Sequence, residues 1–191
     1  EVVLTWPHPI AKTVRSCEIP TDIMMLLDRS GSMAADGGSP PEPLESAKQA
    51  AAQFVARLKD KDQVGYLSYA TEPSSPIEQS LTQNRTLVEE AIQKTILGID
   101  GIQYTNIGDA IKTAAAELTS SHHNENARKV LVLLTDGDVT RPVDPATGKL
   151  DRSYASTYAL NAASAAKAQE ISIYTIGLGK VFADETQEVN R

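Results

Sequence analysis

Two uninterrupted apolar runs, Ile23–Leu27 and Val130–Leu134, constrain this chain more than anything else in it. A strand without a single polar residue has no face to give to water, so it belongs in a sheet covered on both sides. Shorter strand signals stand at Val64–Tyr69 and Ile171–Ile176. A weak edge strand is expected around Ile77, kept short by Pro73 and Pro76.

Between these runs the apolar residues recur at gaps of three and four, which puts them on one stripe of a helix. Leu44, Ala47, Ala51, Phe54, Val55 and Leu58 form the first stripe, with Pro43 suited to its first turn. Leu87, Val88, Ala91, Ile92 and Ile96 form the second, behind Asn84 as its cap. Ile107, Ala110, Ile111, Ala114 and Leu118 form the third, and the Ala-rich stretch Thr157–Gln169 is expected to be a fourth helix. Strands alternating with helices imply right-handed crossovers. The expected fold is therefore α/β: a doubly wound, Rossmann-like, mostly parallel sheet with helices on both faces and one short antiparallel edge strand.

Residues 1–21 read as an N-terminal extension or a linker from an upstream region, because Pro7, Pro9 and Pro20 interrupt any long element. Residues 22–191 read as one domain. The start at Glu1, with neither Met nor signal peptide, is expected of a mature or excised piece of a larger multidomain protein. Neither nucleic acid nor direct membrane insertion is expected. The net charge of -7 would be repelled by phosphates, and no apolar run approaches the roughly 18 residues a span requires. Cys17 is the only cysteine, so no internal disulfide can form.

Functional groups of an open parallel sheet collect beyond the carboxyl ends of its strands, where the strand order reverses. Three polar turns meet that condition. Asp28-Arg29-Ser30-Gly31-Ser32 follows the first apolar run, Asp136-Gly137-Asp138 follows the second, and Thr105-Asn106 opens a helix. Two aspartates gathered there repel each other, and burying them unpaired costs several kcal/mol each, about. A hard divalent cation resolves the conflict, and it prefers the oxygen ligands that Asp28, Ser30, Ser32, Thr105 and Asp136 offer. Ligand positions left to water could be taken by an acidic side chain of a partner.

These residues closely resemble the von Willebrand factor A domain and its metal-ion-dependent adhesion site, of a prokaryotic surface type. The family pattern is a buried strand ending in Asp-x-Ser-x-Ser, then a Thr, then an Asp; here the pieces are Asp28 to Ser32, Thr105 and Asp136. The resemblance covers about residues 22–180. It implies that Ser30 and Ser32 bind metal through their hydroxyls, that Asp28 and Asp136 bind directly or through water, and that Thr105 binds when a ligand is engaged. It implies Mg²⁺, with Mn²⁺ or Ca²⁺ as alternatives, and a non-catalytic role in adhesion or assembly through a protein partner presenting a carboxylate. An extracellular or cell-surface place is expected, with a cytoplasmic assembly subunit as the alternative.

Two departures stand out. Gln103 and Tyr104 occupy places where the family often has small residues, so Tyr104 is expected on the rim of the site. The family's closing helix reads as truncated after Gly179. Asn106 is expected to cap its helix or hydrogen-bond locally, with a place on the outer shell or rim as the alternative, and Asp109 and Asp138 to be outer-shell acids or, with better reason, a first-turn helix acid and a solvated turn acid. His122 and His123 read as surface residues. The competing reading is a metal-dependent phosphotransferase with Asp28 as nucleophile, against which Ser30 stands where a second aspartate is needed.

Overall fold

The structure, a computed structural model, describes residues 19–98, 104–137 and 139–178. The expected N-terminal extension lies almost wholly outside these residues, as do Cys17, Gln103, Asp138 and the stretch in which a truncated closing helix was expected.

Five strands form one sheet in the order β3-β2-β1-β4-β5. They are β1 (Thr21–Asp28), β2 (Gln63–Tyr69), β3 (Gln79–Thr82), β4 (Arg128–Thr135) and β5 (Ile171–Gly177). All neighbours are parallel except β2 and β3. The two uninterrupted apolar runs become β1 and β4, side by side in the middle of the sheet, with Leu27 opposite Leu134. From β1 the chain winds outward to β2 and β3; after β4 it winds the other way to β5. The order therefore reverses between β1 and β4.

Side-chain alternation divides the core between the two faces. Ile23, Met25 and Leu27 of β1 join Val132 and Leu134 against Leu44, Ala47, Ala51 and Val55 of α1 (Leu44–Ala56) and Val88 and Ile92 of α2 (Arg85–Gln93). Met24 and Leu26 join Leu131 and Leu133 against Ile111, Ala114 and Leu118 of α3 (Ile107–Leu118) and Ala159, Ala162 and Ala166 of α4 (Arg152–Lys167). Gly108 lets α3 and α4 approach closely: a Cβ there would lie 2.3 Å from the Tyr158 ring.

The sequence expectations need five corrections. The edge strand forms at Gln79–Thr82, not around Ile77. Ile77 packs on the core from a loop, because the Glu78 carboxylate takes the Ser68 backbone N–H (3.0 Å), a donor that a strand partner would otherwise use. In the helical stripes, Phe54, Leu87 and Ile96 are exposed, and α2 ends at Gln93, short of Ile96. Asn84 stands at the N-cap of α2 without a side-chain capping bond. The fourth helix begins at Arg152, five residues early, because Asp151 accepts from the N–H groups of Ser153 and Tyr154. His122 is surface-exposed as expected, but His123 is not. Its Nδ1 lies 2.7 Å from Oδ2 of the fully buried Asp22, which also accepts from the Asn124 N–H.

Candidate metal centre

Asp28 ends β1 and Asp136 follows β4, so the reversal of strand order brings their two turns together. Asp28 is fully buried. One of its oxygens accepts from the Ser30 N–H (2.9 Å) and the other from the Thr135 hydroxyl (2.8 Å). After Ser30 the chain turns into a short 3-10 helix, Gly31–Ala34, which swings Ser32 back over the site. The Ser30 and Ser32 hydroxyls are 3.1 Å apart, and Ser32 donates to Asp136 Oδ1 at 2.8 Å. Gly137 keeps the turn after β4 close to this group, since a Cβ there would sit 3.6 Å from Ser32 Oγ. Asp28, Ser30, Ser32 and Asp136 are thus linked around one point.

The loop before α3 is fixed from two sides. The Asn106 N–H bonds to Ala70 O (2.9 Å) and its side-chain amide to Thr71 O (3.2 Å), both beyond β2. On the other side, the Thr105 N–H bonds to Thr140 Oγ1 (2.8 Å), and Thr105 O accepts from the N–H groups of Thr140 and Arg141, beyond β4. Thr105 is buried. Asn106 caps α3 as expected, accepting from the Asp109 N–H. Asp109 is a first-turn acid with both oxygens engaged, by the Asn106 amide and the Tyr158 hydroxyl. The Tyr104 ring lies 4.1 Å from the Arg141 guanidinium carbon. Asp138 lies outside the described residues.

The electrostatics of this cluster are unfavourable to the bare protein. Burial, opposed by the bonds from Ser30 and Thr135, pushes the Asp28 carboxyl up from 3.8 to about 6. Burial also raises Asp136, and the charge of Asp36, from the loop after the 3-10 helix, adds to it. Burial, and then the Asp28 charge, push the Tyr69 phenol well above its ordinary value, with Thr135 beside its hydroxyl opposing the shift. No basic side chain among the described residues pairs with Asp28 or Asp136. Arg29, the nearest in sequence, turns its Nε to Ser68 Oγ. A divalent cation fits such a place: every available side-chain donor is oxygen, and positive charge is what it lacks.

A family model for the von Willebrand factor type A domain matches residues 22–190. The chain belongs to that family. Among curated relatives of this domain, a UPF0353 protein of Nocardia farcinica is 32% identical over 164 residues, covering 82% of this chain and 44% of its own length. The chain spans less than half the length of the curated relatives it matches. Among solved structures, the conserved hypothetical protein BatB of Bacteroides thetaiotaomicron shares the fold with a TM-score of 0.65 at 24% identity, covering 82% of this chain and 66% of that one. Proximal thread matrix protein 1 of the mussel byssus, solved with a zinc-occupied MIDAS motif, has a TM-score of 0.66 at 19% identity, covering 86% of this chain and 39% of that one.

Several participants had no assigned role at the sequence level. Thr135 directly precedes Asp136, and the β1–β4 register makes it the neighbour of Asp28, a relation legible only once the strand pairing is known. Thr140 lies within a stretch that reads as featureless polar loop.

Proposed function

We propose that this domain binds one divalent cation, Mg²⁺ first with Mn²⁺ or Ca²⁺ as alternatives, and uses it to dock a protein partner through an acidic side chain. Ser30, Ser32 and Thr105 would supply hydroxyl ligands, and Asp28 and Asp136 carboxylates, directly or through water. The bound ion would supply a Lewis-acidic position for a carboxylate oxygen of the partner. The observation that carries this reading is the pair of buried carboxylates, bridged by Ser30 and Ser32 and lacking any basic partner among the described residues. Such a pair is costly by itself and becomes useful when a cation joins it.

The role is one of adhesion or assembly, not catalysis. Asp28 is fully buried, with each carboxylate oxygen already accepting one hydrogen bond, which places it poorly for attack on a bulky phosphoryl group while leaving lone pairs for a small cation or its water. Residues 22–191 act as the metal-binding module of a larger cell-surface or extracellular protein, which accords with the greater length of the curated relatives. Calorimetry with Mg²⁺ tests the reading. The wild-type domain should bind and Asp136→Ala should lose about tenfold or more in affinity; equal affinity defeats it.

A further inference from the structure

Beside the proposed metal position lies a cavity of about 600 Å³, walled by the loop after β2, the first turns of α3 and the loop after β4. Among the described residues, Lys112 and Arg141 are the bases that line it, and they are held differently. Lys112 reaches the Tyr158 hydroxyl (2.6 Å) and sits over that ring. Arg141 has no carboxylate within ion-pair distance among the described residues. Its guanidinium carbon stacks 4.1 Å from the Tyr104 ring centroid, and its Nε is enclosed with no hydrogen-bond partner. Its backbone N–H holds Thr105 O at 3.1 Å, so the stacked pair is built onto the loop that carries a proposed metal ligand.

This arrangement has a recognisable chemistry. Stacking on an aromatic face immobilises a guanidinium and leaves its in-plane N–H edge free. Its outer edge, Nη1 and Nη2, is the part that can meet a ligand from the cavity, and it matches the two oxygens of a carboxylate. Two acids line the same cavity: Asp109 is occupied by the Asn106 amide and the Tyr158 hydroxyl, and Glu72 makes no ion pair with Arg141 among the described residues.

We propose that Arg141, held on Tyr104, is a second anion receptor, so that the partner segment presents two acidic side chains, one for the metal and one for Arg141. The inference rests on the metal reading above. It also gives Tyr104, a departure from the small residues common in the family at that place, a purpose: it is the platform that orients the guanidinium.

The test uses the Mg²⁺-loaded chain and blocked, glycine-rich peptides as probes. One carries a single glutamate; three others carry a second glutamate one, two or three residues further on. Titrations followed by NMR, including the Arg141 Nε–H resonance, read the affinities. At least one two-glutamate peptide should bind about tenfold tighter than the single-glutamate peptide and shift that resonance. Arg141→Gln should collapse the advantage, and Arg141→Lys, which keeps the charge but not the fork, should restore only part of it. An advantage that survives in Arg141→Gln overturns the inference, as does Mg²⁺-dependent binding in which no second glutamate helps. If no peptide responds to Mg²⁺, the metal reading falls and takes this one with it.

Discussion

Replacing Asp28 with asparagine should stabilise the metal-free domain while destroying its use for the cation. The side chain is fully buried, and burial lifts its carboxyl from 3.8 to about 6. That shift corresponds to about 3 kcal/mol acting against the ionised form in the folded state. Because the folded value lies above the unfolded one, the folded state holds the proton more tightly. The penalty is therefore full above about pH 7, falls to about half at pH 5 and to about a fifth at pH 4, and vanishes at about pH 3. Asparagine carries no charge, and its oxygen can still accept from the Ser30 N–H. Its amide must meet the Thr135 hydroxyl, which can turn to accept, at a cost of about 1 kcal/mol for imperfect pairing. The net gain is about 2 kcal/mol at pH 8, shrinking below about 1 kcal/mol at pH 5. Urea unfolding of both proteins in EDTA at the two pH values measures it. Adding Mg²⁺ at about a hundred times its dissociation constant should raise the wild type by about 2.7 kcal/mol and remove the variant's advantage. A variant less stable than wild type at pH 8 in EDTA, or an advantage independent of pH, would refute the reasoning.

Gly108→Ala should lower the thermal midpoint by about 2–10 °C, because its methyl would sit 2.3 Å from Tyr158 Cδ1 and displace a ring whose hydroxyl holds Asp109; an unchanged midpoint would show that the α3–α4 contact has slack. Asp22→Ala should cost about 2–4 kcal/mol in urea unfolding, since it strands the partners of a buried carboxylate, His123 and the Asn124 N–H. Asp22 lies at the amino end of β1, away from the metal position, so calorimetry should find Mg²⁺ affinity preserved in that variant.

Where burial alone decides structure, the sequence is explicit. Ile23–Leu27 and Val130–Leu134 had to be central strands, and the turns after them had to share one edge of the sheet. Where a side chain overrides the pattern, it is not. Glu78 claims the Ser68 N–H and delays the edge strand, though Ile77 still reaches the core from its loop. Asp151 starts α4 inside a stretch whose Pro and Gly content reads as loop; the Asp-x-Ser spacing was the available signal. His123 looked like half of a surface pair because nothing local announces that Asp22, about a hundred residues away, is buried beneath it. The five proposed metal ligands were legible as a set because their residue types share one chemistry. The support beneath them, from Thr135, Thr140 and the Arg141–Tyr104 stack, depends on strand register and loop packing that no local pattern encodes.

A crystal of the domain soaked in Mn²⁺, with its anomalous signal mapped, tests the central claim most directly. A single strong peak should stand among the hydroxyls of Ser30, Ser32 and Thr105, with the Asp28 and Asp136 carboxylates beside it. A peak bound elsewhere, or Thr105 turned away from an ion held by the two serines, would contradict the account.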